Sequence, residues 1–351
     1  MMKAAELAAS VSRPFTIALT PPKLAVLMFY HVAIFTVLRR YLRFAYVAII
    51  VCSAVLITSI VIQRGWFAAS KLQVTFLDVG QGSSVVVRFP DNKVMLVDGG
   101  GSQSNAFDIG KFVVAPYLWH EGISRVDWLV NTHAHPDHFK GLGFIAEEFS
   151  PAKFIWNGVP PEEAEQSDWA AFMARIDTAN TVVQAFRPDA LIRANALSYK
   201  VGPTKVLSND NDVFVGFLSP PENIPQDWNM NDTSLVTKIV YGGTSFLLTG
   251  DIEAKAEEQL LNDKLVTAYG SRFTVFQVPH HGSSTSTTPE FLEAVRPEYA
   301  VIQCGEKNRY GFPNAGVLER LTKVGAKIYR TDVSGAVTFK TDGRTLKVTT
   351  F

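Results

Sequence analysis

Asn131–Gly141 reads NTHAHPDHFKG and directly follows the apolar run VDWLV (Val126–Val130). Three of the chain's seven histidines, His133, His135 and His138, crowd into this stretch, with Asp137 beside the last. His133 and His135 are two residues apart, so in an extended turn their rings point the same way. Asp137 and His138 are adjacent and aim at a second point nearby. Pro136 stiffens the bend between the pairs and limits the entropy lost in fixing them. Two imidazoles on one ion, with a carboxylate and an imidazole on its neighbour, make a dinuclear arrangement. Ions so placed sit roughly 3.5–4 Å apart, share a hydroxide and acidify it towards neutral pH. A polar loop rich in histidine by chance is the bland alternative, and the crowding argues against it.

Outward from this turn, the chain beyond residue 70 reads as short strands. Leu72–Val79, Ser83–Phe89, Val94–Gly100 and Val126–Asn131 are apolar runs bounded by Gly, Pro, Asp or Asn. Further strands are expected at Asp212–Leu218, Ser234–Val240, Thr244–Thr249, Phe273–Val278 and Tyr299–Gln303. Helical patterns fall at Phe112–Trp119, Pro161–Ile176, Ile252–Leu261, Pro289–Val295 and Ala315–Val324. Strands first, then strands alternating with helices, suggest two packed sheets with helices outside.

The 351 residues carry 33 basic and 33 acidic side chains, so net charge selects no partner. The two cysteines, Cys52 and Cys304, are far apart and support neither a disulfide framework nor a thiolate metal site. Ahead of residue 70, Leu24–Leu38 and Phe44–Gln63 contain no formal charge. The second run is long enough to cross a bilayer; the first is short unless its flanks lie at the headgroups. With Arg39, Arg40 and Arg43 between them, they read as a transmembrane helical hairpin rather than a cleaved signal. Basic loops tend to stay in the cytoplasm, which places everything after Arg64 outside it. The expected organisation is a tail over residues 1–22, two transmembrane helices over 23–66 and a hydrolase domain over 70–351. That makes a multi-pass protein of the cell membrane with the hydrolase domain on its extracytoplasmic side.

The H-x-H-x-D-H run resembles the signature of the metallo-β-lactamase superfamily, and other stations of that pattern follow in order. MLVDGG looks like its first motif, with Asp98 orienting the ligand turn. FLLTGD resembles the station where a carboxylate bridges both metals, here Asp251, which taken alone would be an ordinary helix N-cap. VPHHGS resembles the last histidine station, with His281 as ligand and His280 as a contact to a substrate anion. The resemblance implies an α/β fold, an αββα sandwich, and two divalent ions held by His133, His135, Asp137, His138, Asp251 and His281. It also meets a departure, because no histidine lies between His138 and His280. Either one metal keeps an open position, or MNDTS supplies an oxygen; Asp232 is the best candidate, while Asn231, Asp232 and Ser234 serve equally as substrate contacts or a turn. Donors of this kind suit zinc or manganese.

A narrower resemblance is to the carboxy-terminal domain of ComEC-type DNA-uptake competence proteins. VTFLDVGQGSSVVV, NDTSLV, FLLTGDIE, VPHHGS and GEKNRYGFP look like that family's stations. It implies a metal-dependent phosphodiesterase or nuclease that acts on DNA, single-stranded in the expected case, during uptake. Asp137 would orient the nucleophile, His280 would steady charge on phosphate, and Ser283, Lys307 and Gln81 would touch substrate. Two features depart from the family: one hairpin stands where it has a multi-helix channel, and Phe312 stands where it commonly has histidine. Competing expectations are an envelope hydrolase of small esters, lactones or phosphocholine-like groups, and an inactive partner subunit of a separately encoded DNA channel.

Overall fold

The computed structural model describes residues 24–38, 49–56, 58–59, 71–101, 107–186, 213–266 and 272–351. The chain divides into two compact units, Met1–Ala68 with Pro116–Ser124, and Ala69–Ala115 with Arg125–Phe351. In the first unit a helix covers Leu24–Leu38, with Leu24, Met28, Tyr30 and Val32 exposed. A second helical stretch covers residues 49–56, and its Cys52 thiol donates to the Phe29 carbonyl at 3.5 Å. Among the described residues no helix is long and apolar enough to cross a membrane. The basic loop at 39–43 and the expected tail at 1–22 lie outside the described residues.

The second unit holds the strands. The first sheet is built from β1 (Leu72–Phe76), β2 (Val85–Arg88), β3 (Val94–Val97), β4 (Trp128–Asn131), β5 (Lys153–Trp156), β6 (Val182–Ala185), β13 (Val337–Thr341) and β14 (Leu346–Thr350), in the order β14-β13-β1-β2-β3-β4-β5-β6. The second contains β7 (Val213–Ser219), β8 (Val236–Tyr241), β9 (Thr244–Leu248), β10 (Val275–Gln277), β11 (Tyr299–Ile302) and β12 (Lys327–Arg330), in the order β12-β11-β10-β9-β8-β7. In each sheet an antiparallel part adjoins a parallel one, β3 to β6 in the first and β9 to β12 in the second.

Alternation along the strands creates the layers. Leu72, Val74 and Phe76 of β1 enter one apolar core with Ile239, Phe246, Leu248, Val275 and Val301 of the opposite sheet. Within β10, Val275 joins this inner core while Phe276 joins an outer one beneath the helices Ala254–Asn262, Pro289–Val295 and Ala315–Lys323. On the far side of the first sheet, Phe139, Phe154, Trp169 and Phe172 make edge and tilted ring contacts that seat helix Gln166–Thr178. The layering is helix, sheet, sheet, helix, as expected. The carboxyl ends of β3, β4, β9, β10 and β11 all lead into polar loops, the usual place for a site on parallel strands.

Candidate metal centre

The histidine turn begins where β4 ends at Asn131. His135 is extended (φ −85°, ψ 146°), and Pro136 then opens a single helical turn, Pro136–Phe139. Proline suits that first position because its missing N–H would have no partner there. Asp98, just past β3, fastens the turn from behind. Its Oδ1 accepts from the Thr132 amide (2.8 Å) and Asn131 Nδ2 (3.3 Å), and its Oδ2 from the Thr132 hydroxyl (2.8 Å) and His138 Nδ1 (2.7 Å). In front, the Ser83 amide donates to the Asp137 carbonyl (3.2 Å) and the Gly99 amide to the His138 carbonyl (2.7 Å). Gly82 has φ 137°, and a Cβ there would collide with the Asp137 carbonyl, so only glycine lets VGQG lie this close.

The second sheet brings the remaining groups. Asp251 follows β9, and its amide donates to Ser234 Oγ (3.1 Å), which also lies 3.2 Å from His133 Nδ1. His280 and His281 follow β10 with positive φ, 49° and 56°, a conformation uncommon outside glycine that clusters at functional sites. His281 Nδ1 donates to the Gln303 carbonyl at 2.8 Å.

These elements produce two overlapping groups: His133, His138 and Asp251, and Asp137, His138 and His281, each with its ligand atoms within 4.8 Å of one another. Asp251 Oδ2 lies 3.2 Å from His138 Nε2, 3.4 Å from His281 Nε2 and 4.0 Å from His133 Nε2. His281 Nε2 is also 3.5 Å from Asp137 Oδ2. The Nε2 atoms of His138 and His281 are buried and make no aligned hydrogen bond, whereas each Nδ1 is committed to an oxygen. A buried unpaired ring nitrogen is costly, and fixing Nδ1 while leaving Nε2 free is how proteins prepare an imidazole for a cation. The residues fit divalent metal.

Charge follows the same pattern. Burial opposes a proton on His138 and His281, yet the Asp251 carboxylate, with Asp98 at His138 and Asp137 at His281, outweighs it. His138 is raised well above the imidazole range and His281 up to about 10. His133 moves the other way, held neutral by burial and by His138 and His135. Asp251 stays ionised well below the usual range, because His138 and His281 overcome its burial.

The other expected residues are distributed unevenly. His135 Nδ1 lies 3.0 Å from His133 Nε2, but His135 joins neither group. The Asp232 carboxylate accepts the amides of Glu253 (3.0 Å) and Ala256 (3.2 Å), so it caps helix Ala254–Asn262 from outside. That is the capping duty the sequence alone would assign to Asp251. Asn231 Nδ2 is 3.3 Å from Glu253 Oε1. Gln81 Oε1 accepts the Gly305 amide at 3.3 Å, Ser283 bonds Thr285 at 2.8 Å, and Lys307 is 88% exposed and paired with Glu306. Glu253 is the residue sequence reasoning missed. Its Oε1 is 2.9 Å from His280 Nδ1 and accepts from the Thr285 hydroxyl at 2.9 Å, and its Oε2 accepts from Asn229 at 2.9 Å. His280, ahead of these other donors and against partial burial, holds its carboxyl at about 2.

Asp98→Ala, which removes no metal-facing side chain but frees the turn that carries them, is expected to weaken zinc or manganese binding about 10–100-fold. Competition against a chromophoric chelator measures it.

A sequence profile described as Metallo-beta-lactamase superfamily matches residues 77–306. ComE operon protein 3 of Bacillus subtilis (strain 168) is 28% identical over 288 residues, covering 79% of this chain and 34% of that protein. Competence protein ComA of Neisseria gonorrhoeae is 32% identical over 272 residues, covering 77% of this chain and 32% of that protein. The chain therefore spans about a third of the length of these relatives. Among solved structures, CmlA, a diiron beta-hydroxylase from Streptomyces venezuelae, aligns with a TM-score of 0.44 at 14% identity, over 77% of this chain and 54% of that one.

Proposed function

Because the chain belongs to the metallo-β-lactamase superfamily, we propose that residues 70–351 form a metal-dependent hydrolase that cuts phosphodiester bonds of DNA during its uptake. Two helices within residues 23–66 would hold it to the cell membrane, with the hydrolase domain outside the cytoplasm and a DNA-channel subunit of the competence machinery as its partner. The reading rests on one observation above all: two three-residue ligand groups that overlap at His138, with buried ring nitrogens facing Asp251. A relative named as a competence protein supports the substrate class.

An imidazole Nε2 serves one ion only, so the two groups compete for His138. Asp251, with three rings within 4.0 Å of one oxygen, is the carboxylate that would share divalent metal with them. Imidazole and carboxylate donors without thiolate suit zinc or manganese. Divalent ions supply Lewis acidity towards phosphoryl oxygens and lower the pKa of water. The chain's own groups do the rest. Asp137, only partly buried, accepts a hydrogen bond from attacking water and orients it. His280, braced by Glu253, offers its ring to a non-bridging phosphate oxygen.

Full-length protein in detergent, given single-stranded DNA with zinc or manganese, is expected to cleave it, and the His133→Ala/His135→Ala double variant is not. Cleavage of carboxylic esters with DNA untouched would replace this reading with a small-ester hydrolase. Inertness towards both would leave a non-catalytic channel subunit.

Proton release is a second check. In the metal-free protein His281, raised to about 10 by the Asp251 and Asp137 carboxylates, carries a proton at pH 7, and His138 is shifted in the same direction. Metal binds only the neutral ring, so loading at pH 7 should release protons, that of His281 among them. Affinity should climb as pH rises towards His281's value of about 10. An indicator-dye titration that finds metal uptake without proton release contradicts this charge assignment.

A further inference from the structure

The ligand side chains arrive from two different sheets. His133, Asp137 and His138 follow β4 of the first; Asp251 and His281 follow β9 and β10 of the second. The inner apolar core presses the sheets together, but apolar contact is non-directional and does not set their register at the ligand end.

A buried polar cluster spans the gap there, beside the bond from the Leu235 amide to the Thr132 carbonyl (2.9 Å). Gln303, at the end of β11, donates both amide hydrogens to first-sheet loop carbonyls, Leu77 (3.0 Å) and Ser84 (2.9 Å). Its Oε1 accepts from Ser83 Oγ (3.2 Å) and Gln277 Nε2 (2.9 Å). Gln277, the last residue of β10, donates again to Ser83 Oγ (2.9 Å), and its Oε1 accepts the amides of Thr249 (3.0 Å) and Gly250 (3.4 Å). Both glutamine side chains thus use every donor and acceptor they have, in a site closed to water. A fully satisfied buried network admits a single arrangement.

Each end of the cluster is a ligand's support. Gly250 immediately precedes Asp251, the Gln303 carbonyl receives His281 Nδ1, and the Ser83 amide donates to the Asp137 carbonyl. We propose that Gln277, Gln303 and Ser83 are positioning residues that set the distance between the two sheets' ligand sets, and through it the affinity for the paired ions. This rests on the metal-binding reading above.

The test is made on the full chain with zinc and manganese as probes, reading affinity by chelator competition, stoichiometry by elemental analysis, and thermal unfolding. Gln277→Leu and Gln303→Leu are expected to weaken binding of at least one ion 10–100-fold. Gln277→Glu keeps an acceptor for Thr249 and Gly250 and should retain more affinity than Gln277→Leu. Ser83→Ala removes one hydroxyl and gives a milder loss in the same direction, which is read even where a leucine variant fails to fold. Thr75→Val is the control, since it breaks an equally buried bond, Thr75 to Thr338 at 3.0 Å, in the wall of the first sheet. It should unfold earlier yet bind metal as the unmutated chain does. Unaltered affinity in the glutamine and Ser83 variants, or an equal loss in Thr75→Val, overturns the proposal. An unmutated chain that binds no ion overturns the metal reading itself, a separate and distinguishable result.

Discussion

Asp251→Asn is expected to lower hydrolysis on the order of a thousandfold or more while the domain stays folded. The substitution is nearly isosteric and keeps the backbone amide that donates to Ser234. What it removes is the negative charge facing His138, His281 and His133. Metal contributes several kcal/mol of transition-state stabilisation, and about 4 kcal/mol corresponds to three powers of ten in rate. Elemental analysis should show less bound metal per chain than in the unmutated protein alongside the lost activity. Wild-type turnover with metal content unchanged would remove Asp251 from the centre of the scheme.

The largest stability loss is expected at Phe339→Ala. Phe339 is fully buried on β13, with ring centroids 6.0 Å from Phe76, 5.6 Å from Tyr299, 6.2 Å from Phe246 and 6.2 Å from Tyr329. It is where the inner faces of both sheets meet, and its aromatic neighbours are too rigid to collapse into the space it leaves. Phenylalanine-to-alanine changes at such sites cost about 3–5 kcal/mol. For a domain of this size that lowers Tm by roughly 6–20 °C. Thermal unfolding followed by circular dichroism measures it, and a shift below about 2 °C would mean that the inter-sheet contact carries little.

How far the sequence disclosed this molecule depended on how local each signal was. The histidine turn needs no partner to be recognised, because its donors lie within a few residues of each other. Strands apolar at every position and buried nearly throughout, such as Val94–Val97 and Tyr299–Ile302, were legible for the same reason. The strands Lys153–Trp156 and Val182–Ala185 were not, since the first buries only its two central residues and the second is mostly exposed. The hairpin of β13 and β14 did carry a signal, the Asp342-Gly343 pair between alternating runs, but threonine and lysine dilute its apolar periodicity. Within the site, Glu253 was hidden because its partners His280, Asn229 and Thr285 come from separate loops. The capping role of Asp232 was hidden for the mirror-image reason: its carboxylate serves a helix start that lies about twenty residues further on.

The position of β1 has a consequence for biosynthesis. It lies between β2 and β13, and its Thr75 meets a partner 263 residues later in the chain. While a ribosome is still making the second sheet, β1 offers one flank of unpaired amides and carbonyls to any passing strand. Closing so wide a loop is slow. The histidine turn therefore emerges well before the first sheet is complete, and a nascent chain stalled short of residue 337 leaves that flank open as an aggregation hazard.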